Sequence, residues 1–211
     1  MTPGRFITLE GGEGAGKTTL AELLAARLRS TGLEVIVTRE PGGTPNAEAL
    51  RTLLVEGETG RWSPLAETLL LYAARTDHVE RLIKPALSAG HWVICDRFSD
   101  STRAYQGAAG GLDADRIAAI DTVTLNGFTP DMTFMVDMDP AIGLERARAR
   151  GGGHTRFERQ AIPFHNTLRR AFVEIARENP DRCILLDGAQ PPKQVADAAL
   201  AGVRARLGVI V

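Results

Sequence analysis

Residues 6–20 read FITLEGGEGAGKTTL: a short apolar run, a glycine-rich turn, then the start of a helical leucine pattern. No other stretch constrains the fold as much. Gly11, Gly16, Lys17 and Thr18 fill the fixed places of the pattern G-x-x-x-x-G-K-[ST]. Glycines let backbone N–H groups converge on an anion, and the following helix aims its positive end at the same point. In such a loop the lysine reaches the β- and γ-phosphates of a nucleotide, and the next hydroxyl ligates Mg2+. Gly11, Gly12, Glu13, Gly14, Ala15, Gly16, Lys17, Thr18 and Thr19 are therefore expected at the nucleotide phosphates, with Thr18 on the metal. The loop alone does not choose among kinase, GTPase, motor and switch.

The rest of the chain repeats the strand-then-helix rhythm. EVIVT (34–38), WVIC (92–95), MTFMVDM (132–138) and CILLD (183–187) read as four further strands after FITL (6–9). Between them lie helical patterns. NAEALRTLLV is a short helix, and residues 64–89 form a long apolar one, started by Ser63-Pro64 and bent at Pro85. LDADRIAAIDTVTLNG is helical, and Asp139-Pro140 opens a helix running through Arg150. Phe164, Leu168, Phe172, Ile175 and Ala176 mark another, and Val195, Ala199, Val203 and Leu207 the last. The expected fold is α/β, a three-layer phosphate-loop NTPase with a five-stranded, mostly parallel sheet and helices on both faces. One domain spans 1–211, with a mobile lid in the Gly- and Arg-rich stretch 146–159.

Composition narrows the function. Net charge is -1, so nothing electrostatic favours nucleic acid or a membrane surface. The opening MTPGRFITLEGG has too short an apolar run for a signal peptide, and no run reaches membrane-spanning length. Cys95 and Cys183 both sit in apolar runs, which suits buried, reduced thiols of a cytoplasmic protein. His78, His91, His154 and His165 follow no metal-ligand spacing and are expected to pack or face solvent. The only lysines are Lys17, Lys84 and Lys193, which makes the one in the glycine loop conspicuous.

A second concentration of chemistry is CDRFSDSTRAYQG, residues 95–107. A connection that only turned the chain would use Gly, Pro, Asn and Asp. Asp96 ends an apolar strand, where phosphate-loop proteins keep an acid near Mg2+, although such an acid also serves as a turn cap. Arg97 would emerge at the carboxyl edge of the sheet, able to fork two donors onto a phosphate or to form a surface ion pair. Arg39 and Glu40 leave the second strand, Arg51 lies on the short helix, and Arg75 sits on the apolar long helix. A buried Arg75 needs a partner, either a carboxylate such as Glu40 or a ligand. A GTPase has no use for this second set of cations. A transferase moving phosphate onto another phosphate does.

Taken together, LEGGEGAGKTT, TREPGGT, YAAR, IKPAL, DRFSDSTRAYQG and ERARARG resemble the bacterial thymidylate kinase family over essentially the whole chain. The resemblance implies ATP and Mg2+, dTMP as the acceptor, a homodimer and a cytoplasmic enzyme of dTTP synthesis. It places Asp96 with Thr18 at the metal, and Arg97, Arg51 and Glu40 around the acceptor phosphate. Arg75, Ser101 and Gln106 match positions facing thymine, and Tyr105 the aromatic against the sugar. Lys17, Arg97, Arg150 and Glu13 are its catalytic set, with Arg150 approaching ATP from the lid because Glu13 and Gly14 replace a loop arginine. Two positions depart from the common pattern. Leu71 stands where many relatives stack a Phe on the base, and Thr155 where many have an acid before Arg156 and Glu158. Other readings are a kinase for another pyrimidine monophosphate such as dUMP, or a non-catalytic nucleotide switch.

Overall fold

The computed structural model describes residues 4–149 and 155–208. Five strands, β1 (Phe6–Glu10), β2 (Val35–Arg39), β3 (Trp92–Asp96), β4 (Met132–Asp137) and β5 (Cys183–Asp187), form one sheet in the order β2-β3-β1-β4-β5. Every neighbouring pair is parallel. The expected mostly parallel sheet is thus wholly parallel, and the strands read from sequence hold to within a residue at each end. Among the described residues nine α-helices accompany them: α1 (Lys17–Arg29), α2 (Pro45–Val55), α3 (Pro64–His78), α4 (Lys84–Ser88), α5 (Ser99–Thr102), α6 (Ala114–Leu125), α7 (Pro140–Ala149), α8 (Ile162–Glu178) and α9 (Pro192–Leu207).

Period-two alternation divides the strands between two cores. Ile7, Leu9, Ile94, Phe134 and Val136 pack with Leu20, Leu24 and Leu28 of α1 and Val195, Ala199 and Val203 of α9. On the opposite face Phe6, Val93 and Cys95 meet Tyr72 of α3 and Phe98. Met135 joins Leu168, Phe172 and Ile175 of α8 there. Thr8 and Glu10 face the second layer too, by the same parity as Phe6, and both are fully buried. Cys95 and Cys183 are free and buried, as expected.

Helix starts follow their caps. The Thr44 hydroxyl accepts from Ala47 N–H, Ser63 from Ala66, Asp113 from Asp115 and Arg116, and Asp139 from Ala141. Two elements differ from expectation. The long helix is interrupted, α3 passing through a π-helical turn, Val79–Ile83, into α4. Pro85 has no N–H for the carbonyl four residues back, so the disturbance lies upstream of the proline. The stretch after β3 is helical as well, α5 leading into a second π-helical turn, Arg103–Ala109. The lid expected at 146–159 runs from the end of α7 to a turn at 156–159, and its residues 150–154 lie outside the described set.

Candidate active site

The carboxyl ends of β1 and β3 are neighbours, and both deliver chemistry to the same edge of the sheet. From β1 the glycine loop enters α1 through Gly16 at φ +95°, and no side chain caps that helix. Its first N–H groups are therefore available to an anion. Gly14 lies at φ +66°, and a Cβ there would sit 1.8 Å from the Gly143 carbonyl, so α7 packs directly on the loop. The Lys17 ammonium is buried and donates to the carbonyls of Gly11 (3.1 Å) and Gly12 (2.8 Å). Burial, then the nearby Arg97 charge, brings its pKa down to about 8. Beside the loop lies a cavity of about 400 Å3, bordered by Gly16, Thr19, Arg146, Gly188 and Gln190.

The Thr18 hydroxyl donates to Asp96 Oδ2 at 2.9 Å. Asp96 Oδ1 is buried and has no hydrogen-bond partner among the described residues. A carboxylate oxygen left over beside a hydroxyl at a phosphate loop suits a hard divalent cation with oxygen ligands. The pair expected to hold Mg2+ is therefore assembled and fits that ion.

Arg97 follows Asp96 with a positive φ of 76°, a conformation unusual for a residue with a side chain. Its guanidinium donates to Gly11 O (3.0 Å), Ser101 Oγ (3.2 Å) and Glu13 Oε1 (3.1 Å), and lies over the Tyr105 ring. Burial opposes that charge, but Tyr105, Glu13 and Asp96 outweigh it and hold the guanidinium protonated. Glu13 also accepts from the Tyr105 hydroxyl at 2.7 Å. Burial would raise its pKa, yet Arg97, Lys17 and Tyr105 pull it down to about 2. Glu13 is thus an anion held among the cations of the two loops.

All eight residues expected around the acceptor, Glu40, Arg51, Leu71, Arg75, Arg97, Ser101, Tyr105 and Gln106, border one cavity of about 110 Å3. Arg75 is 2% exposed. It donates through Nε to Glu40 (2.7 Å) and through Nη2 to Phe98 O and Thr102. Its Nη1 is buried without a partner among the described residues. Of the two partners foreseen for Arg75, the Glu40 carboxylate is present in the structure. Behind them, His78 joins Glu40 (3.1 Å) to Thr38 (2.8 Å), a packing role of the kind expected. Arg51 donates to Pro41 O, and burial together with the charges of Arg39 and Arg97 lowers its pKa. Ser101 borders the cavity, but its hydroxyl is committed to Arg97 and to Glu10 (2.5 Å).

A thymidylate kinase family model matches residues 9–199 of the chain. The chain belongs to the thymidylate kinase family. A thymidylate kinase of Caulobacter vibrioides is 53% identical over 211 residues, covering 100% of this chain and 97% of that protein. One from Dinoroseobacter shibae is 51% identical over 201 residues, covering 94% and 96% respectively. The crystal structure of a thymidylate kinase from Ehrlichia chaffeensis matches with a TM-score of 0.78 at 33% identity, covering 95% of this chain and 100% of that one.

Against this thymidylate kinase pattern, the two departures have visible settings. Leu71 borders the same cavity as Arg75 and Gln106, and so does Thr155 with Phe157. Arg150 lies outside the described residues. The sequence reading missed Glu10, Glu67, Arg146, Gly188 and Gln190. Glu10 was findable: an acid at the last position of a buried strand, on the parity of Phe6 and Thr8. Gly188 and Gln190 come from the loop after β5, far away in sequence, and nothing local marks them.

Proposed function

We infer that this chain transfers the γ-phosphoryl group of ATP to dTMP, giving ADP and dTDP, in the supply of dTTP. The observation that carries the reading is the meeting of two cationic groups, Lys17 from the glycine loop and Arg97 from the edge of β3, around the single carboxylate of Glu13. One anion site is built for a triphosphate, and the other, with Arg51 and Arg97, for an acceptor that already carries phosphate. Phosphoryl transfer asks mainly for alignment and charge neutralisation, and an ionised phosphate acceptor needs no general base.

Lys17 and Arg97 hold charge on the transferring group from opposite sides, and Arg150 adds a third cation from the lid. Thr18 and Asp96 would hold Mg2+, which would supply further neutralisation of the phosphates. Closing the 146–159 segment excludes water, which would otherwise accept the phosphoryl group. The cavity by Thr19, Arg146 and Gln190 receives the nucleoside of ATP. Tyr105 packs against the deoxyribose, and Arg75, Leu71 and Gln106 surround the base. No described helix is long and apolar enough to cross a membrane. Exposed Leu69 of α3 and Val123 of α6, on helices packed side by side, support a homodimer.

The test is ADP release from ATP with a panel of nucleoside monophosphates. Stimulation by dTMP far above the rest is expected, and stimulation by none would return the chain to the class of nucleotide switches. Leu71 gives the base a face without a ring, which favours dUMP as the second acceptor to try. Lys17→Ala and Arg97→Ala should each lose roughly 10²–10³-fold in kcat while remaining folded. For Arg97→Ala the KM of dTMP should rise as well. Near-normal turnover by either folded variant would remove it from the catalytic set.

A further inference from the structure

The base end of the acceptor cavity is joined to the foot of the lid through one buried carboxylate. Glu67, on the first turn of α3, is 7% exposed. Its Oε1 accepts from the side-chain amide of Gln106 at 2.5 Å, and its Oε2 accepts from the Arg156 guanidinium. Arg156, 3% exposed, also donates to Leu54 O from its side chain and to Val55 O from its backbone. It therefore meets the carbonyl end of α2, where a cation is favoured. Its guanidinium lies 4.5 Å from the Phe157 ring centre, and Phe157 in turn meets Tyr105 edge-on. Through the Tyr105 hydroxyl, which donates to Glu13 at 2.7 Å, the contacts continue to the glycine loop.

The chemistry of that chain is directional. A carboxylate paired with an arginine only accepts, so Gln106 must give it the NH2 group. Because the amide is planar, its oxygen then points along the other branch, and Gln106 borders the acceptor cavity. Arg75, whose Nη1 is a buried donor without a partner among the described residues, borders the same cavity. A fixed acceptor beside a fixed donor complements a base edge with an N–H beside a carbonyl, the pattern of thymine and uracil. Cytosine reverses both groups at the corresponding positions.

We propose that Glu67, clamped by Arg156, is the positioning residue that locks the Gln106 amide with its oxygen toward the base, and so sets selection for an N–H/carbonyl edge over the amino edge of cytosine. Glu67 touches no substrate. It acts through Gln106, and this rests on the placement of the base beside Gln106 given above. Exchange for glutamine keeps the size of the side chain but adds an NH2 donor. The Gln106 amide can then turn over and present its own NH2 to the cavity.

The experiment measures kcat/KM for dTMP and for dCMP in the unmodified enzyme, in Glu67→Gln and in Gln106→Ala. Both acceptors are compared within one preparation, so partial loss of folded protein cancels from the ratio. The dTMP-to-dCMP ratio should fall by about tenfold or more in Glu67→Gln, the size of one misdirected hydrogen bond. The fall should come through the KM of the acceptor, with the KM of ATP unmoved. Gln106→Ala should lower the same ratio. An unchanged ratio in Gln106→Ala would overturn the placement of the base and the Glu67 role with it. A fall in Gln106→Ala with none in Glu67→Gln would leave the base where it is and overturn the Glu67 role alone. Equal losses on both acceptors in Glu67→Gln would make Glu67 a purely structural residue and overturn it too.

Discussion

Glu10 closes β1 with no solvent contact, and its carboxylate accepts from Phe98 N–H (2.7 Å) and the Ser101 hydroxyl (2.5 Å). Those two bonds pin the turn that carries Arg97 in its left-handed conformation. Burial, and then the charge of Asp100, pushes the Glu10 pKa up to about 8 from an ordinary 4.5. The folded state thus keeps a proton that the unfolded chain has released. Stability from this group is greatest below about 4.5 and falls as pH rises toward about 8, the opposite of a salt-bridged carboxylate. Replacing Glu10 by Gln removes the titration. Unfolding free energies of the two proteins should therefore shift against the unmodified enzyme between about pH 5 and pH 9, by on the order of a few kcal/mol. Denaturant melts at several pH values measure this, and a difference constant with pH would show that Glu10 stays ionised in the fold.

At the scale of elements, the glycine loop works because of what packs against it. Gly14 brings the loop onto the backbone of α7 at Gly143, whereas a Cβ on Gly12 would meet nothing within 4 Å. Gly14→Ala combines a left-handed backbone with a collision against a carbonyl. It should cost roughly 2–3 kcal/mol, lower Tm by roughly 5 °C or more, and raise the KM of ATP as α7 is pushed off the loop. Gly12→Ala should leave Tm within about a degree. Thermal melts of the two variants decide this, and equal Tm values would mean that α7 does not bear on the loop. The motif G-x-x-x-x-G-K-[ST] was legible from sequence, but it leaves residue 14 free. Glycine there meets two demands, a left-handed backbone and the close approach of α7, which is encoded more than a hundred residues later.

For the molecule as a whole, the outer side of α3 and α6 carries exposed apolar side chains. Leu69 is 52% exposed and Val123 84%, while Thr68, Tyr72 and Ala74 of α3 and Ile117 and Leu125 of α6 are buried. Exposed apolar residues on two packed helices suit a self-complementary contact between copies. Leu69→Glu should convert a dimer into a folded species of one 22.7 kDa chain, with its far-ultraviolet circular dichroism unchanged. Sedimentation equilibrium reads this directly. A monomer before the substitution, or a dimer indifferent to it, would exclude this face as the interface.

The sequence alone determined whatever depends on neighbours along the chain. The glycine loop, the strand and helix periods and the helix starts at Ser63 and Asp139 were all legible there, because each obeys a local rule of spacing. The tertiary structure decided what depends on convergence. It showed that Glu10 pins Arg97, that Arg75 keeps one donor after satisfying Glu40, and that Ser101 spends its hydroxyl inside the protein. It also brought Glu67 of α3, Gln106 after β3 and Arg156 of the segment before α8 to one buried point. Hydrogen-bond partners 39 and 89 residues apart leave no period or motif behind them. Burial and pairing are properties of the packed interior, and packing joins segments that the linear order keeps apart.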